Sequence, residues 1–175
     1  MKAFTFNKRL FVGLLIVLSI AMLTGCMKSN QNGSTVDEPD ITVDYLQGEY
    51  VQQLMRDGAT HVFGNIKISQ NEDDETLLLI ESKEYVEDET QPNGFYIEDK
   101  NVNVEAVLSS EARCTFMQGG VSLPQIMTAG QFVNEYEKDV AKNGGEKNPE
   151  YEKYKLYDIY IMEGQAELVL ERYIP

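Results

Sequence analysis

Histidine and cysteine are nearly missing from this chain, which has one His and two Cys in 175 residues and no Trp. A lone His61 excludes multi-histidine metal sites. No Cys-x-x-Cys pair, His-Glu-x-x-His, Gly-x-Ser-x-Gly elbow or glycine-rich phosphate loop is present either. A small hydrolase would have to work through clustered carboxylates instead. Basic residues are also scarce, at 15 Lys+Arg against 29 Asp+Glu. Three of the cations, Lys2, Lys8 and Arg9, stand in a leading segment without a single acid, so the rest of the chain carries 12 basic against 29 acidic residues, or −17. Such a surface repels phosphate backbones and disfavours nucleic acid as a partner; it points to a cationic or neutral ligand, such as a glycan strand or a basic protein face.

No apolar run reaches the length of a membrane span. The longest, Leu10 to Leu23, is about fourteen residues, where about twenty are needed, and it comes after the cationic start Met1 to Arg9. That is the layout of a secretory signal peptide. Leu23-Thr24-Gly25-Cys26 stands at the end of this run and resembles the lipobox of bacterial lipoproteins. The resemblance covers the leader alone. It implies cleavage before Cys26, lipid on the Cys26 sulfur, and a protein held to the outer side of a bacterial membrane by its acyl chains (palmitate-type anchoring). Residues 1–25 are then signal peptide. Residues 26–40, which are Lys, Ser, Asn, Gln, Gly, Thr, Asp, Glu and Pro with one valine after Met27, make the lipid anchor and a flexible tether. Residues 41–175 form a single domain, long enough for one core.

With Cys26 lipidated, Cys114 is the only remaining thiol and no intramolecular disulfide can form. Ala112, Cys114 and Phe116 alternate with Arg113 and Thr115, which puts the thiol on the apolar side of a strand.

Along the domain, Leu46, Tyr50, Val51, Leu54 and Met55 keep the spacing of one helical face. The helix is expected from Asp44 to Asp57, with Asp44 as its cap, Gly48 weakening its interior and Gly58 ending it. The period then changes to two. Thr60 to Ser69 reads as a strand, with Gly64 where it would bend; Leu77 to Val86 reads as a second, buried on both faces at Leu77 to Ile80; and Phe95 to Met117 reads as one long strand or two short ones. Thr128 with Gln131 forms a capping box before a helix that Asn143-Gly144-Gly145 stops. A hairpin closes the chain, from Tyr154 to Met162, through Glu163-Gly164, to Ala166 to Ile174. The expected class is α+β, mainly β, with two helices. The element order resembles a small OB-like barrel, and a half-open sheet fits it as well.

Two patterns carry candidate chemistry. Asp99, Asn101, Asn103 and Glu105 recur at period two, which aligns four oxygen-bearing side chains on one strand face and makes calcium the conceivable cofactor. The EF-hand pattern is not met, because Val104 and Ser110 stand where it needs Gly and Glu. Otherwise no cofactor is expected. Tyr151, Tyr154, Tyr157 and Tyr160 recur every third residue. On a strand, Tyr154 and Tyr160 share a face and offer a platform for sugar rings or an apolar peptide. The sequence therefore points to a membrane-tethered, non-enzymatic binding or accessory module for an envelope glycan or protein partner. A small hydrolase or a calcium-binding domain using clustered carboxylates is the alternative.

Overall fold

The computed structural model describes residues 41–117, 123–145 and 148–174. The expected signal peptide, Cys26 and tether lie outside them. The chain is mainly β, with two helices on one six-stranded mixed sheet. Helix α1 covers residues 43–56, as Val43–Tyr45 and Val51–Arg56 in α geometry around a wider π turn, Leu46–Tyr50, that contains Gly48. The strands are β1 (Thr60–Gln70), β2 (Thr76–Glu87), β3 (Phe95–Phe116), β4 (Gln125–Thr128), β5 (Leu156–Met162) and β6 (Gln165–Arg172). Helix α2 is Ala129–Asn143, and a 3₁₀ turn, Tyr151–Tyr154, precedes β5.

Local chemistry explains most of the boundaries. The Thr42 hydroxyl accepts from the Tyr45 amide, so Thr42 caps α1 in place of Asp44. Gly58, at φ 100°, lets the Gly58 and Ala59 amides reach back to the Met55 and Leu54 carbonyls and end the helix. The Thr128–Gln131 capping box forms as the sequence indicates. Glu163 and Gly164 both have positive φ, the type I′ geometry whose twist suits the β5–β6 hairpin.

Strands pair in the order β2-β1-β5-β6-β3-β4, and β2 also pairs with β3. Each of β1, β2, β5 and β6 therefore has two strand neighbours and β3 has three, β2, β6 and β4, so the pairings return to their start with β4 as a branch on β3. The β3–β6 pair is parallel and the others are antiparallel. Two positions allow this. Gly64 faces Ser82 on β2 and Tyr157 on β5, so it is the residue at which β1 passes from one neighbour to the other. Any Cβ there would run into the Glu81 carbonyl. Strand β3 is one long strand that pairs with β2 up to Val107 and with β6 from Val107 onward, its register shifting between Leu108 and Arg113.

The inner faces form the main core, which includes Ile66, Leu78, Ile80, Cys114, Phe116, Tyr157 and Ile159, sealed by Phe132 and Tyr136 of α2. A second cluster lies on the other face of β6, where Leu168 and Leu170 meet Leu46 and Leu54 of α1. Burial of each such side chain contributes about 1.5–3 kcal/mol.

Three further expectations need correction, and one strand was not foreseen. Leu78 and Ile80 are fully buried in the main core, but Leu77 and Leu79, which alternate onto the other face of β2, are only half-buried. Tyr154 belongs to the 3₁₀ turn and not to the hairpin strand, since Asn65 draws the carbonyls of Glu152, Lys153 and Lys155 onto its side-chain amide and holds that segment as a turn. The last strand stops at Arg172, short of Ile174. Strand β4 had no sequence signature, being four residues long.

Candidate functional site

A chain of stacked groups runs across the outer face of β1 and β5, beside the place where Tyr160 and Met162 of β5 meet the α1 cluster. Alternation on β1 sends Val62 and Ile66 inward and His61 and Phe63 outward, while register places His61 opposite Tyr160 and Phe63 opposite Asp158. The His61 and Tyr160 rings stack at 4.9 Å. His61 Nε2 lies 2.8 Å from Asp158 Oδ1, and Arg172 NH1 lies 3.5 Å from the same oxygen. The Arg172 guanidinium sits over two rings, 5.3 Å from the centre of Phe63 and 5.6 Å from that of Tyr85. Tyr85 in turn stacks on Phe95 at 4.8 Å. Because aromatic faces attract cations, the two rings together with Asp158 hold the Arg172 guanidinium at the centre of this row.

Arg172 also divides two hollows. One, of about 400 Å³, is lined by Asp158, Tyr160, Leu170 and Tyr173. The other, of about 380 Å³, is lined by His61, Phe63, Lys83, Tyr85, Lys100 and Val104 among others. Burial, followed by the Asp158 carboxylate, raises the Tyr160 phenol above its usual range, so it remains a neutral hydrogen-bonding group. Against known protein-family models, curated proteins and solved structures, the chain matches none.

Of the predicted tyrosine pair, Tyr160 belongs to this face. Tyr154 is 77% exposed in the turn before β5 and stands apart from it. Tyr157 points inward and is fully buried, its hydroxyl without a hydrogen-bond partner among the described residues.

The oxygen-bearing row meets cations. Asp99 pairs with Lys83. Asn101, at φ 52°, forms the irregularity at which β2–β3 pairing steps from Glu81↔Asn103 to Lys83↔Asp99. Asp99, Asn101 and Asn103 line a hollow of about 350 Å³ together with Glu81, Lys83 and Lys153, and Glu105 is not part of it. Two ammonium groups thus stand where a cation ligand set would need free oxygens. Among the described residues no three His, Cys, Asp or Glu side chains are grouped to hold a metal ion.

Cys114 is fully buried, and burial pushes its thiol up to about 12. It lies in the core, on the opposite side of the sheet from the outward-facing His61, so the two do not form a nucleophile–base pair.

A second polar cluster lies on the core side of the sheet, beside α2. Lys155 Nζ is 2.7 Å from Glu171 and 3.1 Å from Asp139 of α2, and stands 4.4 Å above the Phe116 ring. Glu171 also accepts from the Met117 amide at 2.5 Å. Tyr136 donates to Glu152 and lies 2.7 Å from the Ile66 carbonyl. These bonds tie α2, the 3₁₀ turn and β6 together. No local pattern hints at this cluster or at the Arg172 row, because both bring together residues from distant parts of the chain. The nearest signal was the outward alternation of His61, Phe63 and Tyr85, which looks the same in any half-exposed strand.

Proposed function

We propose that this chain is a lipoprotein tethered to the outer face of a bacterial membrane through lipid on Cys26, and that its folded part is a small OB-like barrel acting as a non-enzymatic binding module. The barrel reading rests on the return of the strand pairings through β2–β3, with β3 and β6 parallel and a helix between β3 and β5. The extracytoplasmic reading rests on the leader and on Leu23-Thr24-Gly25-Cys26.

The observation that carries the binding reading is the row His61–Tyr160, Phe63–Arg172–Tyr85 and Phe95, in which His61, Tyr85 and Arg172 are exposed, Tyr160 and Phe95 are half-buried and Phe63 is buried beneath the guanidinium. Such rows of rigid aromatic rings around a fixed guanidinium are the composition of interaction hot spots. The partner is an envelope component, either a glycan or a protein, met by a domain standing off the membrane on its tether.

Co-sedimentation of the lipidated protein with envelope fractions, separated into glycan and membrane-protein pools, tests this. Tyr160→Ala combined with Arg172→Ala should weaken retention by at least about tenfold, with the far-ultraviolet circular dichroism unchanged. Equal retention of the folded double variant and the parent would remove this face from the function.

A further inference from the structure

Where α2 begins, a hollow of about 600 Å³ lies between the helix, the middle of β3 and the starts of β2 and β6. One wall is a stretch of β3 that has left its neighbours. Strand β3 parts from β2 at Val107 and, after Leu108, meets no strand again until Arg113. The step from Leu108 to Arg113 is matched on β6 by the shorter step from Ala166 to Leu168, so residues 109–112 bulge out of the ladder. Ser109 and Ser110 of this bulge line the hollow with Thr76 of β2, Gly130 and Asn134 of α2, and Gln165 of β6.

The hydrogen-bonding groups of this lining are largely unspent. Among the described residues, the side chains of Thr76, Ser110 and Gln165 bond to no other residue, and Asn134 gives its amide nitrogen to the Gly130 carbonyl and keeps its oxygen free. Ser109 is only 9% exposed, and its hydroxyl accepts from the Glu111 amide while its own proton meets no acceptor there. Gly130 stands in the first turn of α2, where its amide has no carbonyl four residues back, and a Cβ placed on it would meet nothing within 4 Å.

The lining also sets the ligand class. Hydroxyl and carboxamide groups both donate and accept, which matches a ligand whose own groups are hydroxyls. Glu75 is the one charged side chain among the described residues of the wall, and it disfavours an anion. No aromatic ring of those residues offers a stacking surface to a flat base, whereas Leu108 and Val133 present an apolar patch suited to the C–H face of a saturated ring. The volume falls in the range of small-molecule sites, about 300–1,000 Å³.

We infer that this hollow binds a neutral polyhydroxylated ligand, a saccharide unit, which sets its hydroxyls on Ser109, Ser110, Asn134 and Gln165 and a ring face on Leu108 and Val133. The inference rests on neither the aromatic row nor the lipid anchor, since the hollow shares no residue with the hollows beside Arg172.

The test follows amide NMR shifts of the full chain in detergent during titration with glucose, galactose and N-acetylglucosamine as neutral sugars, and with glucuronic acid and glucosamine as charged counterparts. At least one neutral sugar should shift the Ser109, Ser110, Gly130 and Asn134 amides with a Kd of about 1 mM or below. Glucuronic acid should bind at least about tenfold more weakly. Asn134→Ala with Gln165→Ala, both at exposed positions, should weaken the sugar at least about tenfold at an unchanged melting temperature. Tyr160→Ala with Arg172→Ala should leave it bound as before. Absence of shifts at these amides with every neutral sugar would overturn the inference. Glucuronic acid binding equally well, or glucosamine binding at least about tenfold more tightly than glucose, would overturn the neutral class. If the sugar is lost with Tyr160 and Arg172 and kept without Asn134 and Gln165, it belongs to the aromatic row: this inference fails and the binding reading stands.

Discussion

Lys155 is the residue on which the inner polar cluster depends. Its side chain is 10% exposed and lies between two carboxylates, Glu171 at 6% and Asp139 at 17%. Removing the ammonium leaves both acids facing each other without a counter-charge in a poorly solvated place, which costs far more than the pair itself contributes. Lys155→Met keeps the apolar stem and should destabilise the domain by about 3–5 kcal/mol, read from the urea midpoint. A loss below about 1 kcal/mol would mean that water reaches the cluster.

The buried thiol and phenols give a second prediction, about pH. Burial raises Cys114 from 9.0 to about 12, and burial with the Asp139 hydrogen bond raises Tyr151 from 10.0 to about 12. Tyr136 and Tyr157 shift the same way through burial. A raised value means that the folded state holds the proton longer than the unfolded chain. The stability from Cys114 is complete below 9.0 and that from Tyr151 below 10.0, and both are lost as the pH rises to about 12. Denaturation midpoints should therefore fall across that window, and a thiol reagent should label Cys114 slowly until they do. Fast labelling of the native protein at neutral pH would place this thiol at the surface.

At the scale of elements, two glycines with opposite surroundings separate propensity from packing. Gly64→Ala forces a methyl group into the Glu81 carbonyl at the point where β1 changes neighbours, and overpacking of this kind costs about 1–3 kcal/mol. Gly48→Ala meets nothing within 4 Å, on a helical turn where glycine is the poorer choice, and should stabilise by about 0.5–1 kcal/mol. Opposite signs of the two melting-temperature shifts are the expected result. Two shifts of the same sign would refute the role of Gly64 as a close-approach residue.

These elements also explain how much was legible in the sequence. The α2 box, the Gly58 stop, the Glu163–Gly164 turn and the bend at Gly64 were all readable, because each is set by two or three adjacent side chains. The switch of β3 from β2 to β6 and the turn held by Asn65 were not, because register between distant strands leaves no local trace. The candidate site was visible only as separate outward residues. Tyr160 was found, Tyr154 proved to lie on a different element, and Arg172 gained its meaning only from Phe63 and Tyr85 beside it.

For the whole molecule, overall charge and local charge act at different ranges. The net −17 beyond the leading segment acts over about a Debye length, near 8 Å at physiological salt, and decides which surfaces approach. The ion pairs Lys83–Asp99, Lys100–Glu84 and Arg172–Asp158 act within hydrogen-bonding distance and balance the charge of the outer face locally. On the proposed reading, lipid on Cys26 would add a third effect, confining the domain to a layer near the membrane and raising its effective concentration toward any envelope partner. On that reading the effect would depend on Cys26. Two acyl chains, at about 0.8 kcal/mol per buried methylene, hold a protein far beyond the marginal binding of one. Cys26→Ser should therefore abolish incorporation of a fatty-acid probe and leave the precursor uncleaved, while the folded domain melts at an unchanged temperature because residues 41–175 contain none of the altered chemistry. If the serine variant still takes up the probe, the anchor lies elsewhere. If it takes up none but is still cleaved and released, the leader is an ordinary secretory signal and the protein acts in free solution.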